Sequence, residues 1–347
     1  MNTKHFPSSI ILFLLTASLI SCTSENRFVI CRISEYDCNY EHHVPGIITV
    51  TKGSSRLHYI LTQKGLEKAE IKEGEPVAYN YETETLLVKE ATDSSIDIFT
   101  VDTGNGKELS SKIPLKPGKT LSEKGKTFYA FPKLLSGCVQ NDGTIALLVQ
   151  HENLLSDSRI NEPPYPEDGN TVSLYIYEKG DAKKLKRYSF PDDEPSESAP
   201  GDYFWEEPKL LQCIGKEIYL FSEKNQANEI SLFYRSQPNW ILGRIGFDSR
   251  KDDASIIDTA LIAYDDITFN YYSKKDSTLY TSVKSSEKDK AVLRITGLKE
   301  GYELPEEPIE RENGDFLFSE TPDGKPLIFF VKTRSHQEEQ RIELLAL

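Results

Sequence analysis

Pro132-Lys133-Leu134-Leu135 and Pro208-Lys209-Leu210-Leu211 are the same four residues, and the stretches after them are also alike. After the first come Cys138, a polar turn at Asn141-Asp142-Gly143, and the apolar run Ile145-Ala146-Leu147. After the second come Cys213, a turn at Gly215-Lys216, and Ile218-Tyr219-Leu220-Phe221. The likeness extends through Val172-Ser173-Leu174-Tyr175, leading to Tyr188-Ser189-Phe190, and through Ile230-Ser231-Leu232-Phe233-Tyr234, leading to Ile245-Gly246-Phe247-Asp248. A fixed-period repeat limits a chain to architectures in which copies of one supersecondary unit bury their faces on each other.

The unit is made of strands. Ile96-Asp97-Ile98-Phe99-Thr100-Val101 and Val172-Ser173-Leu174-Tyr175-Ile176-Tyr177 alternate with period two, the periodicity of a pleated strand. Eighteen Tyr and 16 Phe against a single Met suit such surfaces, and no amphipathic helix pattern recurs after Phe28. Weaker copies run from Ile47 to Ile71, Val77 to Leu115, Ile256 to Leu298 and Pro308 to Leu347, with Asp102-Thr103-Gly104-Asn105-Gly106 as a hairpin turn. Four antiparallel strands per unit is what a propeller blade requires. The expected fold is therefore all-β, a β-propeller of six four-stranded blades, with seven as the alternative that chain length allows. A spare strand at Arg27–Ile33 is expected to complete the last unit and close the structure, which removes a sheet edge.

Within the last unit, Thr321-Pro322-Asp323-Gly324-Lys325-Pro326-Leu327-Ile328-Phe329-Phe330 resembles the repeat of TolB-like and WD40-like propellers, and Gln340–Leu345 resembles the strand that comes next there. The resemblance covers one unit; the others lack the Pro-Asp-Gly triplet. It implies the architecture and no activity.

The first residues read differently. Lys4 supplies a short cationic region, and an apolar stretch from Ile10 through Leu15, Ala17, Leu19 and Ile20 comes after it. At roughly 11 residues it has the size of an export-signal core, short of the ~20 that a spanning helix needs. Leu19-Ile20-Ser21-Cys22 resembles the lipobox of bacterial lipoproteins. That resemblance implies cleavage before Cys22, a diacylglycerol thioether on it and an acyl chain, palmitate or similar, on its amine. Several chains hold a protein firmly where one holds it marginally. The organisation expected is a signal peptide over 1–21, a lipidated tether over 22–26 and the β domain over 27–347. Thr23, in place of the Asp that retains many lipoproteins at the inner membrane, implies the outer membrane, on its periplasmic face or at the surface.

The formal charge is −14, and loss of Lys4 with the signal makes it about −15. Nucleic acid is excluded as the main partner, since phosphate contacts need clustered Lys and Arg. Of the remaining cysteines, Cys31 and Cys38 flank a short polar segment and are read as a candidate disulfide. Cys138 and Cys213 lie in apolar strand-like runs and are read as buried free thiols. No cofactor or metal is expected. Glu41-His42-His43 reads as a surface loop, and neither a nucleophile elbow, a zinc helix, a phosphate loop nor a dinucleotide fingerprint is present.

Two insertions, His151–Asn170 and Pro191–Pro208, break the spacing. Connections this long in a compact β domain are functional or disordered. Because they join strand ends on the same side of a propeller, Tyr165, Tyr203, Phe204 and Trp205 form the candidate binding face, aromatic anchors in an acidic rim. The leading expectation is a membrane-anchored, non-enzymatic module that binds another envelope or extracellular protein. The alternatives are a carbohydrate-active hydrolase or lyase using paired channel carboxylates, which acidic composition leaves open, and a surface-exposed ligand-binding antigen.

Overall fold

The computed structural model describes residues 27–32, 38–92, 95–116, 118–123, 126–155, 171–189, 202–228, 239–248, 253–263, 267–285, 290–297, 308–332 and 339–345. The described residues form an all-β protein of small antiparallel sheets with one short 3-10 turn at Glu178–Gly180. After an initial strand β1 (Arg27–Arg32), the first sheet holds β2 (Cys38–Val44), β3 (Ile47–Lys52), β4 (Ser55–Thr62) and β5 (Gly65–Lys68). The second holds β6 (Glu75–Asn80), β7 (Thr85–Ala91), β8 (Ile96–Asp102) and β9 (Ile113–Leu115).

A third set comprises β10 (Gly118–Glu123), β11 (Lys126–Val139), β12 (Ile145–Leu155), β13 (Thr171–Tyr177) and β14 (Leu185–Ser189). A fourth comprises β15 (Asp202–Ile214), β16 (Glu217–Asn228), β17 (Asn239–Asp248) and β18 (Asp253–Ala263). These third and fourth sheets merge into one nine-stranded sheet only through the parallel pair Ser189 with Asp253. The fifth holds β19 (Ile267–Ser273), β20 (Thr278–Ser285), β21 (Lys290–Gly297) and β22 (Ile309–Glu312). The sixth holds β23 (Gly314–Glu320), β24 (Pro326–Lys332) and β25 (Glu339–Leu345), and β1 supplies its fourth strand, with Arg27 opposite Glu343 and Arg32 opposite Glu339.

Central strands read as unbroken apolar runs because both their faces are buried. Successive side chains point to opposite sides, so neighbours in sequence serve different interfaces. Ile48 and Val50 pack with Leu317, Phe329 and Ile342 of the sixth sheet, whereas Ile47 packs with Leu86, Val88 and Phe99 of the second. Leu87 and Ile98 face Ile145, Leu147 and Val149 of the third sheet, and Ala146 and Leu148 face Leu211, Ile218 and Leu220 of the fourth. Tyr219 and Phe221 turn away from these and meet Leu279 of the fifth, whose Tyr271, Tyr280 and Leu293 pack on Phe316, Phe318 and Phe330 of the sixth. Fully burying one such Phe or Leu contributes about 1.5–3 kcal/mol.

Strand assignment departs from the sequence reading in three places. Ile245-Gly246-Phe247 lies in β17, which pairs with β16 as the third strand of its sheet, and the fourth is β18. Residues 230–234, expected to be that third strand, lie outside the described residues. Consequently Ile256 and its neighbours close the fourth sheet, and Ile309–Glu312 closes the fifth, so the last two unit boundaries both move toward the C-terminus. Apolar alternation marks a strand but not its sheet, so two strands that look alike are not told apart by pattern alone.

The insertions are also shorter than expected, the first beginning later and the second ending earlier. β12 continues to Leu155, paired with Phe128, and β15 starts at Asp202, paired with Asn228. His151–Leu155 and Asp202–Pro208 are therefore strand, as are His42 and His43 within β2, and not loop. Long hairpin arms hold these residues through ladder hydrogen bonds, which composition does not reveal.

Candidate functional site

The turns joining first to second strands gather at one end of the molecule, and from the second sheet to the sixth each is tied to the next by a polar side chain. Asn80 Nδ2 donates to the Val139 carbonyl (2.9 Å) and to Asn141 Oδ1 (3.0 Å), and Asn141 in turn donates to Glu82. Gln140 Nε2 donates to the Lys216 carbonyl at 2.8 Å, Lys274 pairs with Glu217, and Lys275 Nζ meets Asp323 Oδ2 at 2.9 Å. Gly46 N donates to the Phe318 carbonyl at 2.7 Å. Gly46 has φ +74°, and a Cβ there would overlap the Tyr81 phenol, so glycine is required on both counts.

Inner edges are satisfied in the same manner. The Gln212 amide accepts from Tyr272 N (3.1 Å) and donates to Tyr272 O (2.8 Å), a side-chain imitation of a ladder pair. Ser136 Oγ accepts Leu211 N at 2.9 Å, and Ser319 Oγ donates to the Leu61 carbonyl at 2.5 Å. Isolated polar residues in apolar strands thus stop edges from templating further strands.

Near this end Tyr271 donates a hydrogen bond to Glu320. Burial raises the Glu320 carboxyl above its ordinary range, a shift opposed by the Tyr271 hydrogen bond and reinforced by the nearby negative charge of Glu82. Tyr271 itself is pushed up by burial and by Glu320. The Tyr81 phenol is fully buried beside the Ser319 hydroxyl and the Glu320 backbone, and burial raises its pKa. Glu320 is thus a largely buried carboxyl group that feels the charge of Glu82. Among the described residues no three His, Cys, Asp or Glu side chains come together as metal ligands.

Two grooves lie off this centre. One of about 570 Å³ is lined by Ile71, Phe99 and Val101 with Lys72, Lys107 and Lys112. It adjoins the Asp102–Gly106 turn, where Asp102 Oδ1 accepts Gly104 N and Asn105 N (3.0 Å each). The other, about 710 Å³, runs along the sixth sheet between Tyr280, Ile328, Leu344 and Leu345, with Lys275 and Lys325 on its rim.

Of the residues singled out by sequence, Cys22 and Tyr165 lie outside the described residues. Tyr203, Phe204 and Trp205 are consecutive positions of β15, opposite Ala227, Gln226 and Asn225. Cys31 and Cys38 are placed by backbone alone, in β1 and β2, and their side chains lie outside the described residues. The reading of Cys138 and Cys213 as free thiols is overturned. They form a disulfide, with Cα atoms 5.4 Å apart, inside the apolar cluster that joins the third and fourth sheets. Equivalent positions of consecutive repeats are neighbours when first strands pack side by side, and their separation of 75 residues concealed this.

No protein-family profile matches the chain, and no curated protein matches it. Solved structures do align along most of its length. A eukaryotic initiation factor aligns at 9% identity and TM-score 0.34, covering 94% of this chain and 89% of that one. The plexin A4 extracellular region aligns at 10% identity and TM-score 0.37, covering 93% of this chain and 34% of the other. An alpha-L-arabinofuranosidase from Lactobacillus brevis aligns at 9% identity and TM-score 0.33, covering 79% and 90%. At these scores the likeness carries no argument about function.

Proposed function

We propose that the chain is a six-bladed β-propeller lipoprotein, anchored through acyl chains on Cys22, that binds another envelope or extracellular protein without catalysing a reaction. The propeller reading is supported by the apolar clusters, which link the six sheets in cyclic order and return from the sixth to the first. Pairing of β1 with β25 supports closure by the N-terminal strand. The observation that carries the binding reading is the pair of arms on the third and fourth sheets: β11 with β12 reaches Phe128 and Leu155, and β15 with β16 reaches Asp202 and Asn228. An arm held by ladder hydrogen bonds presents contact area at less entropic cost than a free loop, and Tyr203 and Trp205 share one face of it. Capture of envelope proteins by the lipidated chain, compared with a chain carrying Tyr203→Ser, Phe204→Ser and Trp205→Ser, tests it. Equal capture by a variant of unchanged melting temperature would refute the assignment of the face.

One observation favours a second reading. Glu320, buried and with a raised pKa beside Glu82, has the character of a general acid with a carboxylate partner. Release of sugar from a panel of glycosides, lost in Glu320→Gln with the fold intact, would establish it; no release by the wild type would set it aside.

A further inference from the structure

The register of β1 on β25 gives the domain a polarity. β24 leaves the Thr321–Lys325 turn, β25 returns toward it, and Arg27 pairs with Glu343 near that returning end. The chain therefore enters the sixth sheet at the end where the turns gather, beside the groove lined by Leu344 and Leu345. Four residues lie between Cys22 and Arg27, and the five steps from one Cα to the other, even fully extended, reach no more than about 18 Å. The arms point the other way: Leu155, Asp202, Asn228, Asn239 and Ala263 are all strand ends on the side away from those turns.

Charge varies along the same axis. The described turns at the tether end (45–46, 63–64, 81–84, 103–112, 140–144, 178–184, 215–216, 274–277 and 321–325) hold ten lysines against eight carboxylates in a chain of net charge −14. Counted over the sequence of every connection, with 249–252 and 298–308 added, the tether end carries 13 basic and 13 acidic residues, whereas the connections between strand ends on the other side carry 19 acidic and 7 basic. An anionic headgroup layer therefore repels the second end and not the first, over a Debye length of ~10 Å.

We infer that the turn-bearing end, with Lys64, Lys216 and Lys325, is a membrane-docking surface that lies on the lipid bilayer, and that the arms on the third and fourth sheets face away from it. The inference rests on lipidation at Cys22 as proposed above. A short tether limits how far the domain leaves the bilayer, and the charge difference selects which end turns inward. The partner-binding face is then presented outward.

Lysine footprinting of the purified lipidated chain on phosphatidylcholine–phosphatidylglycerol vesicles tests this, using a water-soluble acylating reagent and the same protein in detergent as reference. Labelling of Lys64, Lys216 and Lys325 is expected to fall several-fold on vesicles, with Lys116 and Lys332 unchanged. Added salt should weaken the protection. Equal labelling of both sets, or protection of the second set, would overturn the proposed orientation while leaving the anchor intact. Failure of the wild type to float with the vesicles, or flotation of Cys22→Ser to the same extent, would instead refute lipidation.

Discussion

Cys138 and Cys213 occupy corresponding places in the first strands of adjacent sheets and are joined by a disulfide. They clamp the two sheets that carry the projecting arms. Closing a loop of 75 residues restricts the unfolded chain by about 4 kcal/mol in the chain-entropy account. The Cys138→Ala, Cys213→Ala double variant should lose a large part of that stability in urea unfolding, and reductant should then have no further effect at this pair. Unchanged midpoints for the double variant would show that the clamp adds nothing.

Glu320 predicts a loss of stability as pH rises above the ordinary carboxylate range. Its folded pKa is raised, so its contribution is intact below the unfolded value and is lost as pH rises through the folded one. Glu320→Gln should be more stable than wild type at pH 8 relative to their order at pH 5, as read by thermal melts. Tyr271→Phe removes the hydrogen bond that opposes the shift and should move the loss to higher pH.

Asp323 predicts the opposite dependence. Hydrogen bonds from Thr321 and Lys275 hold its pKa at about 2, so its contribution is present above the ordinary Asp range and lost as pH falls toward that value. Asp323→Asn should remove this part of the acid sensitivity in melts taken between pH 5 and pH 2. Identical acid profiles would indicate that the turn holds without the charge.

Removal of β1 should expose the edge of β25 and lower the melting temperature of the domain. A chain starting at Cys38 is the comparison. It is expected to aggregate on storage as well, because an unpaired strand edge beside the buried Ile342 templates further pairing. A parental melting curve would refute the structural role of the strand.

Trp205 separates partner binding from packing. Under the proposed function Trp205→Ala weakens partner capture and leaves the melt unchanged, whereas truncating a core Trp costs about 3–5 kcal/mol. A large drop in melting temperature would assign it to the core.

Much of the fold is legible in the sequence because the repeat and the period-two runs are direct images of strands buried on both faces. The sheet membership of β18 and β22 is not, since hydrogen-bond partners leave no mark on apolar alternation. The Cys138–Cys213 pair becomes visible only once the repeats are seen to pack side by side. Asn80, Ser136, Gln212 and Ser319 pass as mere interruptions, although a lone polar residue in an apolar strand signals an edge to be satisfied. Glu320 gives no signal at all: its character comes from Tyr271 and Glu82, which are remote in sequence.

The pairing of β1 with β25 also dictates an order of events. Synthesis delivers Arg27–Arg32 first and Glu339–Leu345 last, about 300 residues later. The earliest strand must wait without its partner while the other sheets assemble, and such distant pairing is slow to form. Any message truncated before Glu339 yields a chain whose opening strand never finds a mate, so the joining of these two strands certifies that every sheet between them has been made.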